Sequence, residues 1–451
     1  MKKGVTRRSM LQRSAALGAL AMSGTWGAGS AFGQSVAKVA PITMVINQSP
    51  WFEGFRKLVE KYQTETGNQI TLDVNPYAGA LDKIRNSLRA DSGNYDLLAI
   101  DNNWMVEMFD GGFIMPLDEL EPGFKLDPNL NTYDGTIFWN EELRTFDPKT
   151  GALMGSPLNG NVDVLYYRKD LYEAKGLKVP ETWEELAANV AALNDPPNMY
   201  GLVHRDERGS IWADFVNYMF SSNGGLFADA KAADFTITVN SPANLKTLQF
   251  YLDIGKAGGY PTPGSVGQGP LIELMASGKA AHAIIVIGAA AAFDDPSKSA
   301  VVGKIDACLM PRSADGEHAA RAGHWIGAIA RNVPNDRQLA ALEFLKWFGT
   351  LENQIDYTKF GAVPVRLDLA ETDLVNDPKF RFLKAQVENS RVARMYAVVP
   401  EAAQLNNVLS LRLNECVIGQ TAPAEALNTA AAECFEIIKR GGHKTGQLPN
   451  L

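Results

Sequence analysis

The sequence predicts an α/β protein whose first part is a doubly wound sheet of parallel strands. Three observations support this prediction. Short β-branched runs recur near the start of the chain, stretches with helical spacing of apolar residues lie between them, and turn-forming residues separate the two. Strands that alternate with helices pack side by side in one sheet with helices on both faces. The length of 451 residues further indicates two or more domains.

Local signals mark each of the first elements. A β-branched run predicts a strand at 42–46, and Ser49 followed by Pro50 offers an N-cap and a first-turn proline for a helix. Apolar residues then recur at helical spacing until Gly67 ends the helix. The pattern continues with a strand at 70–74, a helix through Leu81, Ile84 and Leu88, a strand at 95–101, and a helix start at Asn102-Asn103.

The middle of the chain has a different composition. Residues 131–159 are rich in Gly, Pro, Asp and Thr, which predicts surface connections. The segment Thr182-Trp183-Glu184-Glu185 is a capping box and predicts a helix start. Further predicted elements are a strand at 162–168, a helix ending at Gly176, helices at 215–220 and 245–254, a long loop at 258–270, a helix at 271–277, a strand at 281–287, and mainly helices from Gln338 onward.

Residues 1–33 predict an export signal. A basic start is followed by a weakly apolar run from Ser14 to Met22 and by small residues up to a cleavage point near residues 31–33. The pair Arg7-Arg8 resembles the twin-arginine type. The run is shorter than the ~20 apolar residues that span a bilayer. We therefore expect a soluble protein in the periplasm.

Composition argues against several classes of function. The formal charge is −8, although residues 1–33 hold five basic and no acidic residues, so the remaining chain is strongly acidic. An acidic surface argues against nucleic acid as a partner. The histidines and cysteines show no metal or haem spacing, and the chain has neither a nucleophile elbow nor a phosphate loop. We expect no metal, no cofactor and no enzymatic activity. Whether Cys416 and Cys434 form a disulfide stays open.

Aromatic, amide and acidic side chains gather where predicted strands end. Ligands of open α/β sheets bind outside the carboxyl ends of the strands. Carbohydrates suit such side chains, because C–H faces stack on rings while amides and carboxylates bond the hydroxyls. Each residue alone carries little weight, since tryptophans commonly pack in cores and Asn or Asp commonly form turns. The candidate set is Trp51, Tyr77, Asp101, Trp104, Asn159, Asn161, Trp212, Asn223, His324 and Trp325.

Several short motifs, taken in order, resemble one family. Residues 95–104 read YDLLAIDNNW and residues 111–117 read GGFIMPL, which is similar to a pattern D-x-x-x-x-D-x-x-W followed by G-x-L-x-P-L. Residues 164–172 read VLYYRKDLY, and residues 182–186 read TWEEL. Later landmarks are NGG at 223–225, SGKAA at 277–281 and ALEFLKW at 341–347. Over residues 40–440 the chain resembles the extracytoplasmic solute-binding proteins, family 1, that serve ABC importers of sugars.

This resemblance implies a two-lobed periplasmic binding protein fold of type II character, with a doubly wound sheet in each lobe and a ligand in the cleft. The implied N-terminal lobe contains residues 38–158 and 309–352, and the C-terminal lobe contains residues 159–308 and 353–451. It also implies a ligand contact at Arg394 beside those already named. The implied function is capture of a carbohydrate by hinge closure and its delivery to the membrane permease, with the binding protein a monomer.

One position departs from the family pattern. Where the family usually has Gly-x-Trp after a strand, with the indole stacked on the sugar, this chain reads GAAAAF at residues 288–293. A different stacking residue, Trp212 or Trp325, a larger ligand, or a ligand other than a sugar would each fit this difference. A polyol, a glycerol phosphoester and a polyamine are therefore alternatives, as is an exported enzyme. A polyamine site needs several carboxylates, and a phosphoester site needs a basic nest, for which Arg394 is the sequence candidate.

Overall fold

The computed structural model describes residues 38–451, so the predicted export signal at 1–33 lies outside the described residues. The strands are β1 (Ile42–Asn47), β2 (Ile70–Asn75), β3 (Leu97–Asp101), β4 (Ile114–Met115), β5 (Phe138–Asn140), β6 (Thr145–Phe146), β7 (Ala152–Leu153), β8 (Ser156–Asn159), β9 (Asp163–Arg168), β10 (Phe227–Asp229), β11 (Asp234–Ile237), β12 (His282–Val286), β13 (Ile305–Cys308), β14 (Ala320–Arg321), β15 (Trp325–Ala330) and β16 (Ala393–Arg394).

The helices are α1 (Phe52–Thr66), α2 (Tyr77–Arg89), α3 (Met105–Asp110), α4 (Leu117–Leu120), α5 (Lys169–Lys175), α6 (Trp183–Leu193), α7 (Ile211–Phe220), α8 (Pro242–Gly258), α9 (Gln268–Ala276), α10 (Ala290–Phe293), α11 (Asn335–Phe348), α12 (Leu351–Lys359), α13 (Phe382–Arg391), α14 (Ala402–Val417) and α15 (Pro423–Arg440). Short 3-10 turns lie at Ala230–Ala232, Ile287–Ala289, Asp368–Glu371, Asp373–Asn376 and Pro378–Phe380. Among residues 38–451, we find no helix with the length and hydrophobicity needed to span a membrane.

The larger sheet has six strands in the order β2-β1-β3-β15-β4, with β8 also paired to β15. β1 runs parallel to β2 and to β3, as the alternation of strands and helices predicts. All five residues of β3 are buried, and a strand covered on both faces is continuously apolar rather than alternating. β15 joins from far along the chain and runs antiparallel to β3. The carboxyl end of β3 and the amino end of β15 therefore meet at one edge of the sheet.

The second sheet has three strands in the order β12-β9-β13. The resemblance predicts a doubly wound sheet here too, but both pairings of the central strand β9 are antiparallel. The insertion between β9 and β12 contains the helices α5 to α9 and the strand pair β10 and β11, where a parallel pair would need only one crossover helix. The α/β class is confirmed, and this sheet is smaller than the sequence alternation suggests.

Two large hydrophobic cores lie within residues 38–451. The first surrounds the six-stranded sheet and includes Phe55, Ile100 and Phe344. The second surrounds the three-stranded sheet and includes Tyr166 and Phe215. We call the part built on the first core the first lobe and the part built on the second core the second lobe.

The two lobes share the C-terminal part of the chain. Tyr357 and Met395 pack in the first core. Phe382 and Leu405 pack in the second core. The last hundred residues therefore contribute to both lobes.

Several local predictions meet different outcomes. The capping box is confirmed, because Thr182 Oγ1 accepts from Glu185 N at 3.2 Å and Glu185 Oε2 accepts from Thr182 N at 3.2 Å. Helix α1 begins at Phe52 with Trp51, not Ser49, as the N-cap. Residues 131–159 are not only surface connections, since they form four short strands. Their turn residues flank an apolar centre that packs against the first core. Cys416 and Cys434 are buried free thiols on α14 and α15.

Candidate functional site

A cavity of about 410 Å³ lies between the two lobes. The first lobe lines it with residues that follow β1 and β3, with the start of α2 and with the start of β15. The second lobe lines it with residues beside β9, β12 and β14 and with one face of α9. A molecule held in this cavity would contact both lobes at once.

Three of the predicted site residues form one row at the edge of the six-stranded sheet. Trp325, the first residue of β15, pairs with Asp101, the last residue of β3. On its other side Trp325 pairs with Asn159, the last residue of β8. Asp101 and Trp325 line the cavity, whereas Asn159 is completely buried. The antiparallel insertion of β15 is what brings an aromatic ring and a carboxylate from distant parts of the chain to the same edge.

Four aromatic side chains form a cluster on the first lobe. The ring centroids of Tyr77 and Trp104 are 4.5 Å apart, and Trp325 lies 5.3 Å from Trp104. Trp51 lies 5.9 Å from Trp325. Trp51, Tyr77 and Trp325 line the cavity, and Trp104 packs behind them. Tyr77 is the most accessible ring of the cluster, with 44% of its surface exposed. The cluster offers an apolar wall to one side of a ligand.

Asp101 uses one carboxylate oxygen in local hydrogen bonds and has no protein donor at the other among the described residues. Its Oδ1 accepts from Asn103 N at 2.9 Å, from Asn103 Nδ2 at 2.7 Å and from Tyr77 Oη at 3.2 Å. In the described residues, Oδ2 accepts no hydrogen bond from the protein. Burial raises the pKa of Asp101 to about 6 against these favourable hydrogen bonds. Asp101 lines the cavity, and its carboxylate therefore keeps one acceptor oxygen that a hydroxyl group bound there would satisfy.

Behind this row the protein is tightly packed. His324 is completely buried and stacks on Tyr133, with ring centroids 3.8 Å apart. Neither ring nitrogen of His324 has a hydrogen-bond partner in residues 38–451. Burial lowers the pKa of His324 to about 3, so the imidazole is neutral. Its place is behind the cavity wall and not on it.

Asn161, which follows the crossing between the lobes, forms a hydrogen bond to the segment that departs from the family pattern. Asn161 lines the cavity, and its Oδ1 accepts from Gly288 N at 3.0 Å. Gly288 and Ala289 also line the cavity. Both belong to the run GAAAAF, which stands where the resemblance implies Gly-x-Trp.

Two arginines of the second lobe line the cavity, Arg205 and Arg321. Arg321 is buried and forms a bidentate ion pair with Asp163, with Nε and Nη2 each 2.8 Å from a carboxylate oxygen. Asn217 Nδ2 donates to the same carboxylate at 2.9 Å. Arg205 forms no ion pair within the described residues. The second lobe thus presents positive charge to the cavity opposite Asp101.

Besides Trp104, Asn159 and His324, which lie behind the cavity wall, three further predicted residues do not line the cavity. Trp212 is buried in the second core, 6.3 Å from the ring of Tyr396. Asn223 has a positive φ of 56°, and its Nδ2 donates to the carbonyl of Asp315 at 2.7 Å. Arg394 Nη2 is 3.4 Å from Glu317 Oε2. Trp212 has a packing role, Asn223 a turn role and Arg394 a surface ion pair in this structure.

Sequence reasoning missed the two arginines and two glutamines, Gln48 and Gln268, that line the cavity. Arg321 precedes the same apolar run as His324 and Trp325, and that position is a signal that points to it. Arg205 lies in a segment without helix or strand, and no pattern in the sequence marks it. Among residues 38–451, no group of three or more side chains is arranged to hold a metal ion.

Comparison with known proteins places the chain in a family. The family model of bacterial extracellular solute-binding proteins matches residues 47–355. The mannitol-binding protein of Pseudomonas aeruginosa is 23% identical over 80% of this chain and 84% of its own length. The sn-glycerol-3-phosphate-binding periplasmic protein of Pectobacterium atrosepticum is 24% identical over 65% of this chain and 68% of its own length.

A solved structure shows the same fold. The ABC transporter solute-binding protein from Agrobacterium radiobacter, in complex with ribitol, superposes with a TM-score of 0.71. It is 24% identical in sequence, and the match covers 88% of this chain and 98% of that chain. Because the family model spans well over half of the sequence, the chain belongs to the bacterial extracellular solute-binding protein family.

Proposed function

We propose that this protein is the periplasmic solute-binding component of an ABC importer and that it captures a carbohydrate, either a sugar or a polyol, in the cavity between its lobes. One observation carries the proposal. The cavity combines an aromatic wall and a free carboxylate oxygen on the first lobe with amide and guanidinium groups on the second. Polyhydroxylated molecules need this mixture, because their C–H faces stack on rings while their hydroxyls both donate and accept.

The charge of the cavity argues against a polyamine. A polycation needs several carboxylates, and Asp101 is the acidic side chain on the cavity wall. Two arginines lie opposite it and would repel a cation. The relatives also support the choice, since one is a mannitol-binding protein and another binds sn-glycerol 3-phosphate.

We assign ligand contact to the predicted residues that line the cavity, which are Trp51, Tyr77, Asp101, Asn161 and Trp325. Trp104, Asn159 and His324 support that wall from behind. In this proposal binding is the whole task of the protein, and no substrate is chemically changed. Closure of the lobes would then create the surface that docks on the membrane permease.

The predicted lobe boundaries belong to the same proposal, with crossings near Asn159, Met310 and Asn353. The first is supported by adjacent strands, because β8 ends at Asn159 in the larger sheet and β9 begins at Asp163 in the smaller one. Met310 still packs in the second core, and Trp325 begins β15 in the larger sheet, so the second crossing lies between these two residues. We expect these segments to bend as the lobes close.

A thermal-shift screen with sugars, polyols and polyamines tests the proposal. A ligand present at 100 times its dissociation constant stabilises the native state by about 2.7 kcal/mol. We expect members of the sugar and polyol classes to raise the melting temperature and the compound to be recovered unchanged. A shift with polyamines alone, or conversion of the compound into a product, would contradict it. Trp325→Ala serves as the site control, because it removes a ring of the cavity wall and should abolish the shift.

A further inference from the structure

Arg205 is a cation without a partner on the cavity wall. Its guanidinium forms no hydrogen bond or ion pair in the described residues, and its Nε is buried without an acceptor. An arginine remains charged at any physiological pH. Taking such a charge out of water is unfavourable unless a counter-charge or hydrogen bonds replace the water. The position is therefore costly in the unliganded protein.

The backbone holds Arg205 at this position. Val203 N donates to His282 O at 3.3 Å on one side, and Asp206 N donates to Val266 O at 3.0 Å on the other. The carboxylate of Asp206 accepts from Gly264 N at 2.7 Å and from Val266 N at 3.0 Å. The neighbouring acid is thus used to anchor the loop and does not pair with Arg205. The segment presents the guanidinium to the cavity from a fixed support.

The other nearby acid is also engaged. Asp214 Oδ2 contacts His204 Nδ1 at 3.1 Å and accepts from Tyr251 Oη at 2.9 Å. It forms no ion pair with Arg205 in the part of the chain that the structure describes. Among the described residues, no carboxylate therefore forms an ion pair with this guanidinium.

A second guanidinium lies close by. Arg321 uses Nε and Nη2 for Asp163, and its Nη1 donates to no acceptor in residues 38–451. Burial and then repulsion from Arg321 lower the pKa of Arg205. Of the two cations on this side of the cavity, Arg321 is paired with Asp163 and Arg205 is not, and Asp101 lies on the opposite lobe.

We propose that the ligand is a sugar or polyol that carries one anionic group, a carboxylate or a phosphate, bound by Arg205 together with the free edge of Arg321. This proposal rests on the proposed function and adds the charge and orientation of the ligand. The hydroxylated part faces Asp101 and the aromatic cluster, and the anion faces the second lobe. A guanidinium fork matches carboxylate and phosphate oxygens in a bidentate arrangement. The bound anion supplies the counter-charge that Arg205 lacks.

The small residues opposite Asn161 fit this orientation. Gly288 and Ala289 line the cavity on the second lobe, as Arg205 and Arg321 do, and among residues 38–451 the aromatic side chains that line it all belong to the first lobe. An anion attracts hydrogen-bond donors and gains nothing from the negative face of an aromatic ring. In this proposal the second lobe holds the ligand by a polar contact at Arg205 and not by a stacking contact.

Calorimetry with matched pairs of compounds tests the proposal. The pairs are D-glucose with D-glucuronate, D-mannitol with D-mannonate, ribitol with ribitol 5-phosphate, and glycerol with glycerol 3-phosphate. We expect the acid of at least one pair to bind at least about tenfold more tightly than its neutral partner, as a charge-assisted hydrogen-bonded pair implies. The carboxylate and phosphate arms identify which anion the site prefers.

Variants show whether Arg205 is responsible. Arg205→Gln should weaken binding of the acid by about tenfold to a hundredfold and weaken binding of its neutral partner much less. Arg205→Lys should weaken binding of the acid less than Arg205→Gln does. Arg208→Gln is the matched control, since it removes an exposed guanidinium of the same loop and should change neither affinity. The unliganded Arg205→Gln variant should melt at or above the wild-type temperature, because it removes an unpaired charge.

Several results would overturn the proposal. If the neutral member binds more tightly in every pair, the proposal that the ligand carries an anionic group is refuted, and the proposed function is unaffected. Equal loss of affinity in Arg205→Gln and Arg208→Gln refutes the role of Arg205, as does a strong destabilisation of the unliganded Arg205→Gln variant. If no compound of either kind binds, the proposed function itself fails.

Discussion

Asp101 divides its two carboxylate oxygens between the protein and the cavity. Oδ1 accepts three hydrogen bonds, two from Asn103 and one from Tyr77. This arrangement is an Asx turn, and helix α3 begins only later, at Met105. The local turn and the proposed contact with a ligand therefore use different oxygens. A substitution that keeps Oδ1 and removes the charge separates the two roles.

We expect Asp101→Asn to lower ligand affinity by about tenfold to a hundredfold, because a charge-assisted hydrogen bond to Oδ2 is lost. The unliganded protein should melt at or above the wild-type temperature, since the amide oxygen can still serve the turn. Calorimetry and a thermal melt on one sample measure both effects. Asp91→Asn is the control, because Asp91 is exposed and remote from the cavity wall. Retained affinity with lost stability would assign Asp101 to the turn alone.

The same residue predicts a pH dependence. Burial raises the pKa of Asp101 to about 6 in the folded chain, so between about pH 4 and 6 the native state binds more protons than the unfolded state. The contribution of Asp101 to stability therefore falls as pH rises through this window. Ligand affinity should change in the opposite direction, falling about tenfold from pH 7 to pH 5 as the carboxylate is protonated. Calorimetry at several pH values on wild type and Asp101→Asn measures the effect on affinity, because all other titrating groups are common to both proteins. Parallel pH profiles would refute it.

At the scale of elements, the sequence predicts where strands end but does not predict which strands pair with each other. The apolar runs of β3 and β15 mark Asp101 and Trp325 as terminal residues. Their pairing depends on an antiparallel strand that joins the sheet more than two hundred residues later, and no local pattern contains that information. Arg205 was missed for a related reason, since its position depends on bonds to the β12 and α9 regions. The sequence predicts Trp212 as a ligand contact, whereas the structure buries it in the second core. A tryptophan in a helix that packs in a core cannot be told from one that lines a cavity by its sequence position alone.

The crossing after β8 is held by a close approach of two backbone segments. Gly160 N donates to Val363 O at 3.1 Å, and Gln386 Nε2 donates to Pro364 O at 2.8 Å. A Cβ added at Gly160 would lie 1.9 Å from Pro364 O. Only glycine permits this approach, so the element that links the lobes depends on the absence of a side chain.

Gly160→Ala should therefore destabilise the protein by about 1–3 kcal/mol, the usual effect of forcing extra atoms into a packed site. Chemical denaturation measures the loss. Gly209→Ala is the matched control, since a Cβ there meets no atom within 4 Å, and we expect little change. If both variants unfold at the same denaturant concentration, the contact at Gly160 does not constrain the crossing.

At the scale of the whole molecule, the predicted periplasmic location depends on the predicted export signal, which lies outside the described residues. If Arg7 and Arg8 belong to a twin-arginine signal, replacing both with lysine should leave most of the precursor in the cytoplasm. Cell fractionation with an antibody against the mature chain measures the distribution. Replacement of Lys2 and Lys3 with arginine is the control, because it keeps the charge and leaves the pair intact. Normal delivery of the double lysine variant to the periplasm would refute twin-arginine export.

The two lobes also predict how the molecule responds to its ligand. A ligand that contacts both walls of the cavity favours the arrangement in which the walls are closer, because its contacts are incomplete when they are apart. For a compact chain of this length the radius of gyration is about 22 Å, and closure should reduce it by a few per cent. Small-angle scattering with and without a saturating ligand measures the change. Asp101→Asn at the same ligand concentration is the control, since reduced occupancy should give a smaller change. An unchanged radius at full occupancy, checked by calorimetry on the same sample, would refute hinge closure and leave a rigid binding site.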